Sequence, residues 1–98
     1  MVEWCAIIYD KKGSDRSQFR AQHLVGIPPL VEQGKFVCAG AIYNDDGSFA
    51  GSHLQIVADS KDEALSIINA DIFAKEGIWD LDSLIIYNFG CAVRIEKQ

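Results

Sequence analysis

The sequence has few of the features that mark metalloproteins, nucleic-acid-binding proteins or membrane proteins. Its three cysteines, Cys5, Cys38 and Cys91, are far apart and form neither a CxxC pair nor a His-linked metal spacing. Nine Lys and Arg stand against fourteen Asp and Glu, with no basic run, so no nucleic acid and no anionic membrane is expected as a partner. No apolar run is long enough to cross a bilayer.

Signals for secretion and for common cofactors are also missing. The stretch MVEWCAIIYDKKG lacks the basic start and the cleavage site of a signal peptide, and the cysteines lie in apolar runs typical of buried, reduced thiols. The chain has no GxGxxG, no phosphate-binding loop, no GxSxG and no HExxH. We therefore expect a cytoplasmic protein with no metal and no cofactor.

What remains is an ordinary globular composition, with 49% hydrophobic and 23% charged residues. Residues 1–98 are predicted to form a single domain, because this length supports one core and is too short for two. A domain of this size buries a limited share of its surface, which favours association with a partner subunit.

The first half of the chain is predicted to form a strand, a helix and a second strand. Residues 3–10, EWCAIIYD, are rich in aromatic and β-branched residues, and residues 35–43, KFVCAGAIY, are apolar at nearly every position. Between them, SQFRAQHLVGIPPLVEQGK indicates a helix with an N-cap within residues 14–17 and an end at Gly34. Its two prolines should kink the helix or make it restart.

The second half repeats this order as strand, helix and strand. NDDGS is a strong turn signal, which predicts a hairpin loop over roughly residues 44–51 before the strand SHLQIVADS. Ser60 and Glu63 form a capping box at the start of a helix. DSLIIYNFG is the last strong strand, and the tail CAVRIEKQ is a candidate short edge strand.

The order β-α-β-β-α-β predicts a ferredoxin-like α+β fold, in which a four-stranded antiparallel sheet carries both helices on one face. The first and last strands are apolar on both faces, whereas a sheet with one face in water should alternate apolar with polar residues. Large apolar patches on soluble proteins usually mark interfaces. We therefore expect a homodimer that packs sheet against sheet.

The predicted topology brings candidate site residues together. The first helix begins, and the second ends, at the same edge of the domain, so His23 and Asp71 should meet there. Asp10, the hairpin loop and His53 are expected at that edge too.

The sequence resembles the YCII-related proteins, a branch of the dimeric α/β-barrel superfamily. The resemblance lies in RAQHL, EQGK, NDDGSFAGSHLQIVADSKDEAL and ADIFAKEGIWD, which occur in the same order and spacing over roughly residues 3–88. It implies a ferredoxin-like protomer, a face-to-face dimer and a cleft with a His-Asp pair, here His23 and Asp71. The chain departs from the family at Ile72, where a proline commonly follows the aspartate.

Two hypotheses about function follow. In the first, the protein is a cofactor-free enzyme of lyase or isomerase type: Asp71 holds His23, which exchanges a proton with a small organic molecule, while Arg20 and His53 bind the substrate. In the second, it is a noncatalytic dimeric module that binds a small molecule or has a structural role. A solvent-reachable His23 paired with Asp71 would favour the enzyme, and a buried His23 bonded only to backbone would favour the module.

Overall fold

The computed structural model describes residues 2–95. Four strands and three α-helices lie within them, together with 3-10 turns at Arg16–Gln18 and Leu81–Ser83. In chain order the elements are β1 (Val2–Tyr9), α1 (Arg20–Glu32), β2 (Phe36–Tyr43), β3 (Phe49–Ala58), α2 (Lys61–Ala70), α3 (Ile72–Lys75) and β4 (Ile85–Phe89).

The strands form one antiparallel sheet in the order β2-β3-β1-β4, which confirms the predicted ferredoxin-like fold. The period-2 alternation of the strands decides which residues enter the core. Ala6 pairs with Leu54, and both are buried in one cluster with residues of α2, Ile67 and Ile68 among them. Ile27 of α1 packs against the same cluster, so both long helices cover the same face of the sheet.

Helix α1 is continuous through Pro28 and Pro29, so of the two predicted alternatives, a kink or a restart, the restart is wrong. Each proline removes one backbone donor from the helix. Ile27 and Leu30 flank the prolines and both pack against the core, which holds the two parts of the helix on the sheet. The helix ends before Gly34, whose positive φ of 73° is the left-handed conformation common just after a helix.

Helix α2 begins with the predicted capping box. The Ser60 hydroxyl accepts the backbone N–H of Glu63 at 3.1 Å, and the Glu63 carboxylate accepts the N–H of Asp59 at 3.2 Å. The first contact satisfies a donor that the first turn of the helix leaves without a partner, and the second ties the residue before the N-cap to that turn. A Ser60→Ala substitution at such a position typically costs about 1 kcal/mol.

Two predictions are wrong: that all three cysteines are buried, and that the tail adds an edge strand. Cys5 is buried as predicted, but Cys38 is exposed and Cys91 is half-buried, because β2 is an edge strand and Cys91 follows the end of β4. Residues 91–95 of the tail form no strand, and Arg94 instead pairs with Glu3 of β1 through their side chains. The remaining tail residues lie outside the part of the chain that the structure describes.

The face of the sheet away from the helices carries large apolar side chains. Ile7 lies on this face because its neighbours Ala6 and Ile8 are in the core, and Ile85, its partner on β4, is 55% exposed. Within residues 2–95, no helix is long and apolar enough to span a membrane.

The homodimer remains a prediction, and light scattering tests it. At micromolar concentration the protein should have the mass of two chains. Ile7→Asp should dissociate or unfold it, because an unpaired charge buried in an interface is costly. Val25→Asp adds the same charge at a 75% exposed position on α1 and should leave the mass unchanged. A folded wild-type monomer would contradict the prediction.

Candidate functional site

The junction between α2 and α3 brings a carboxylate to a histidine. His23 lies in the first turns of α1, and Asp71 is the single residue between the two later helices, with extended backbone angles of φ −68° and ψ 145°. Nδ1 of His23 lies 2.8 Å from Oδ1 of Asp71. The side chains are 11% and 13% exposed, respectively, so the pair is largely buried but open to solvent on one side.

Asp71 is held in place by the start of α3. Its Oδ1 accepts the backbone N–H of Phe73 at 2.9 Å, so the same oxygen caps the helix and contacts His23. Ile72 occupies the first helical position, where proline is favoured because its missing N–H costs nothing there. In this chain the N-cap contact sets the orientation of the carboxylate without that proline.

Aromatic rings set the plane of the imidazole. His23 stacks on Phe73 with centroids 4.1 Å apart and planes 9° apart, and it packs nearly perpendicular to Trp79, at 81° with centroids 6.0 Å apart. An ionised carboxylate can only accept, so Nδ1 carries the hydrogen of this contact. Nε2 points away from Asp71 and has no hydrogen-bond partner within the described part of the chain.

His23 borders two open spaces. A cavity of about 170 Å³ lies between α1, the middle of the sheet and Phe73, and its wall includes Arg16, Arg20 and Phe49. A larger groove of about 580 Å³ runs between α1 and the α2–α3 junction, with Asp71 in its wall. Asp71 therefore faces the groove, whereas His23 contributes to both spaces.

Arg16 is the site residue that the sequence did not predict. Although it is an arginine, it is only 6% exposed. Its Nε and Nη2 donate to the two carboxylate oxygens of Asp10 at 2.8 and 2.6 Å, and Nη2 also donates to Ser52 at 3.0 Å. A bidentate pair of this kind is among the stronger protein hydrogen bonds and fixes the plane of the guanidinium.

Two aromatic rings lie close to the guanidinium of Arg16, and a capped 3-10 turn carries the residue. Its guanidinium carbon lies 5.0 Å from the ring centre of Phe49 and 4.8 Å from that of Phe73, distances that favour cation–π attraction. Asp15 starts the 3-10 turn by accepting from the Ser17 hydroxyl and backbone N–H, and these bonds lower the pKa of Asp15.

Ser52 ties this part of the site to the core. Its Oγ also accepts the indole N–H of Trp79 at 3.1 Å. Trp79 is placed by a single β-bridge to Asp10, just after β1. Gly51 precedes Ser52 where β3 passes so close to β1 that a Cβ would come within 2.9 Å of the Tyr9 Cα, so only glycine fits there.

Of the two residues predicted to bind substrate, only Arg20 lies at the cavity. Arg20 is exposed, lines the cavity and has no carboxylate within ion-pair distance in residues 2–95. His53 does not reach either space: it lies between Ser52 and Leu54, both buried on the helix-covered side, so β3 directs it to the opposite face of the sheet. The described residues also contain no group of three His, Cys, Asp or Glu placed to hold a metal ion.

Substitutions at Asp71 should separate its two contacts. Asp71→Ala removes the cap of α3 and the partner of His23, and we expect a loss of about 1–2 kcal/mol in unfolding free energy by urea denaturation. Asp71→Asn keeps an oxygen for the Phe73 N–H, so it should cost less than Asp71→Ala. In ¹⁵N spectra at a pH where the ring is neutral, Asn should also weaken the preference for the Nδ1–H tautomer of His23. Equal stability losses and an unchanged tautomer would contradict this account.

Comparisons with known proteins agree with the fold. The model of the YCII-related domain family matches residues 2–87. No curated protein matches the sequence. Among solved structures, the chain is similar to 5-chloro-2-hydroxyhydroquinone dehydrochlorinase (TftG) from Burkholderia phenoliruptrix AC1100, in complex with 2,5-dihydroxybenzoquinone. The two are 27% identical, with a TM-score of 0.76, over 90% of this chain and 93% of that chain.

Proposed function

Because the chain belongs to the YCII-related domain family, we propose that it is a cofactor-free enzyme that moves protons on a small monocyclic molecule bearing oxygen substituents. His23 exchanges the proton, Asp71 orients His23, and Arg20 attracts the substrate at the mouth of the cavity. The reaction class is elimination or isomerisation. The proposal leaves His53 out of the substrate site, because His53 lies on the other face of the sheet.

One observation carries this proposal: His23, which lines the cavity, is held through Nδ1, while Nε2 has no hydrogen-bond partner in residues 2–95. A carboxylate that accepts from Nδ1 fixes the tautomer in which Nε2 has a free lone pair. Such a nitrogen can take a proton from a bound molecule and return it. A histidine with a purely structural role would be expected to satisfy both ring nitrogens inside the protein.

The size of the cavity restricts the substrate. At about 170 Å³ it is close to the volume of an engineered protein cavity of about 150 Å³ that holds one benzene ring. The side chains of Ala39 and Ala41 on β2 are too small to fill this space, and the rings of Phe49 and Phe73 border it. A single six-membered ring fits, and a fused two-ring molecule would have to extend past Arg20 into solvent.

The chemistry follows from these groups. Nε2 of His23 removes a proton from a ring hydroxyl or from a carbon next to a carbonyl, and the released electron pair forms a new double bond. In an elimination the leaving group departs with its bonding pair, so the ring loses one proton and one anion. In an isomerisation the imidazolium returns the proton to another ring atom.

The similarity to TftG supports this choice of substrate class. That protein is named for removing hydrogen chloride from a chlorinated hydroxyhydroquinone, and it was solved with an oxygenated quinone. Both molecules are single six-membered rings that carry several oxygens.

Chloride release from 5-chloro-2-hydroxyhydroquinone tests the proposal. The wild type should release chloride faster than buffer. His23→Gln should lower kcat about 100-fold or more, since general acid–base catalysis contributes at least this much. Asp71→Asn should have a smaller effect, because Nε2 is retained and only its orientation is weakened. Gln22→Ala, at a neighbouring position of α1 that lines the groove and not the cavity, is the matched control and should keep wild-type activity.

A second measurement covers other substrates of the same class. Each ring compound in a panel of hydroxylated cyclic ketones and quinones is incubated in deuterated water, and NMR detects exchange that depends on His23. If ring compounds raise the melting temperature of the wild type and of His23→Gln equally, with neither chloride release nor exchange, the protein is a noncatalytic binding module. That result would overturn the proposal.

A further inference from the structure

Arg16 has hydrogen-bonding capacity left over. A guanidinium has five N–H groups. Three are used, one on Nε and two on Nη2, by Asp10 and Ser52. The two unused N–H groups are both on Nη1, which has no protein partner within residues 2–95. Since no fully buried side-chain nitrogen or oxygen in those residues lacks a partner, Nη1 must border open space.

Arg16 borders two spaces, and their charges differ. One is an outer depression of about 550 Å³ at the β1–α1 loop, and its wall contains the carboxylates of Asp10 and Asp15. The other is the cavity shared with His23, whose wall contains Arg16 and Arg20 and, among residues 2–95, no carboxylate. Of the two spaces, the cavity is therefore the one whose arginines face an anion without a carboxylate in the same wall.

The surroundings of Arg16 keep its free N–H groups in one orientation. The fork to Asp10 fixes the guanidinium plane, while the rings of Phe49 and Phe73, with centres 5.0 and 4.8 Å from the guanidinium carbon, cannot accept strong hydrogen bonds. Preorganised donors bind charge more strongly than mobile surface donors do. The cavity thus has a rigid anion-binding group beside the proton-exchanging histidine.

We infer that Arg16 determines specificity in this site, by donating from Nη1 to an anionic oxygen on the substrate ring and so selecting ionised over neutral rings. This inference rests on the proposed function and adds to it the charge state of the substrate. Arg16 holds the oxygen while His23 acts on another position of the same ring. Arg20 adds positive charge at the entrance but, being exposed, contributes less to the selection.

Binding of a matched pair of ligands tests the inference. 2,5-Dihydroxybenzoquinone is an anion at neutral pH, and 2,5-dimethoxybenzoquinone has the same ring without the charge. By calorimetry, the wild type should bind the anion at least about tenfold more tightly than the dimethoxy compound. Arg16→Lys keeps one positive charge but loses the fork, and it should reduce this ratio to about threefold or less. Lys61→Gln removes an exposed charge on α2 and should leave the ratio unchanged.

Two further measurements guard against misfolding of the variant. The double substitution Asp10→Asn with Arg16→Gln leaves no unpaired buried charge, and its melting temperature reports whether the fold survives. In the wild type itself, the side-chain NMR signals of Arg16 should shift when the anion is added and stay in place with the dimethoxy compound. Unchanged Arg16 signals at saturation would overturn the inference even if every variant unfolds.

The outcomes separate this inference from the proposed function. If the wild type turns over a ring substrate and Arg16→Lys leaves both the binding ratio and KM unchanged, the inference fails and the function stands. If Arg16 selects the anion but no chloride release or exchange depends on His23, the anion site stands and the enzymatic function fails. Absence of any binding of the anion overturns the inference.

Discussion

The oxygen Oδ1 of Asp71 is the point on which the site depends. It accepts the N–H of Phe73 and also contacts Nδ1 of His23, so one atom caps the start of α3 and orients the imidazole. Two residues further on, Phe73 turns its ring under the imidazole at 4.1 Å. The position of His23 is therefore set by a local helix-capping contact, which explains how a short domain can hold a histidine side chain precisely without a dedicated loop. Loss of the cap would release the carboxylate, the aromatic support and the histidine together.

Arg16 sets the charge of the same region by a different route. A buried cation is costly unless it is paired and hydrogen-bonded, and Asp10 and Ser52 supply three contacts. Asp10 neutralises Arg16 in the overall charge, yet it lies in the wall of the outer depression and not in that of the cavity. Arg20 adds a second cation to that wall. A chain with net charge −5 thus encloses a small space that favours anions.

The sequence was sufficient for the fold because strand and helix periods, the Ser60 capping box and the turn at NDDGS are local signals. Topology then brings the ends of the two helices to one edge, where His23 and Asp71 lie. The prediction for His53 used its position along β3 but not the face of the sheet to which its side chain points. Leu54 and Ile56 are core residues, so His53, which lies between Ser52 and Leu54, must point to the opposite face. Arg16 could not be predicted. It sits in the polar segment KKGSDRS, and its burial depends on Phe49 and Phe73, which are 33 and 57 positions away in the sequence.

The imidazole of His23 borders two open spaces, and this bears on the proposed chemistry. The carboxylate of Asp71 lines the wider groove and contacts Nδ1 of His23. His23 also lines the smaller cavity, which a single ring would fill, and a bound ring would displace the water that competes for Nε2. A proton taken up by Nε2 then has the bound molecule as its nearest acceptor. This arrangement favours return of the proton to the same ring, which gives isomerisation. Where the ring carries a leaving group, departure of that group completes an elimination instead.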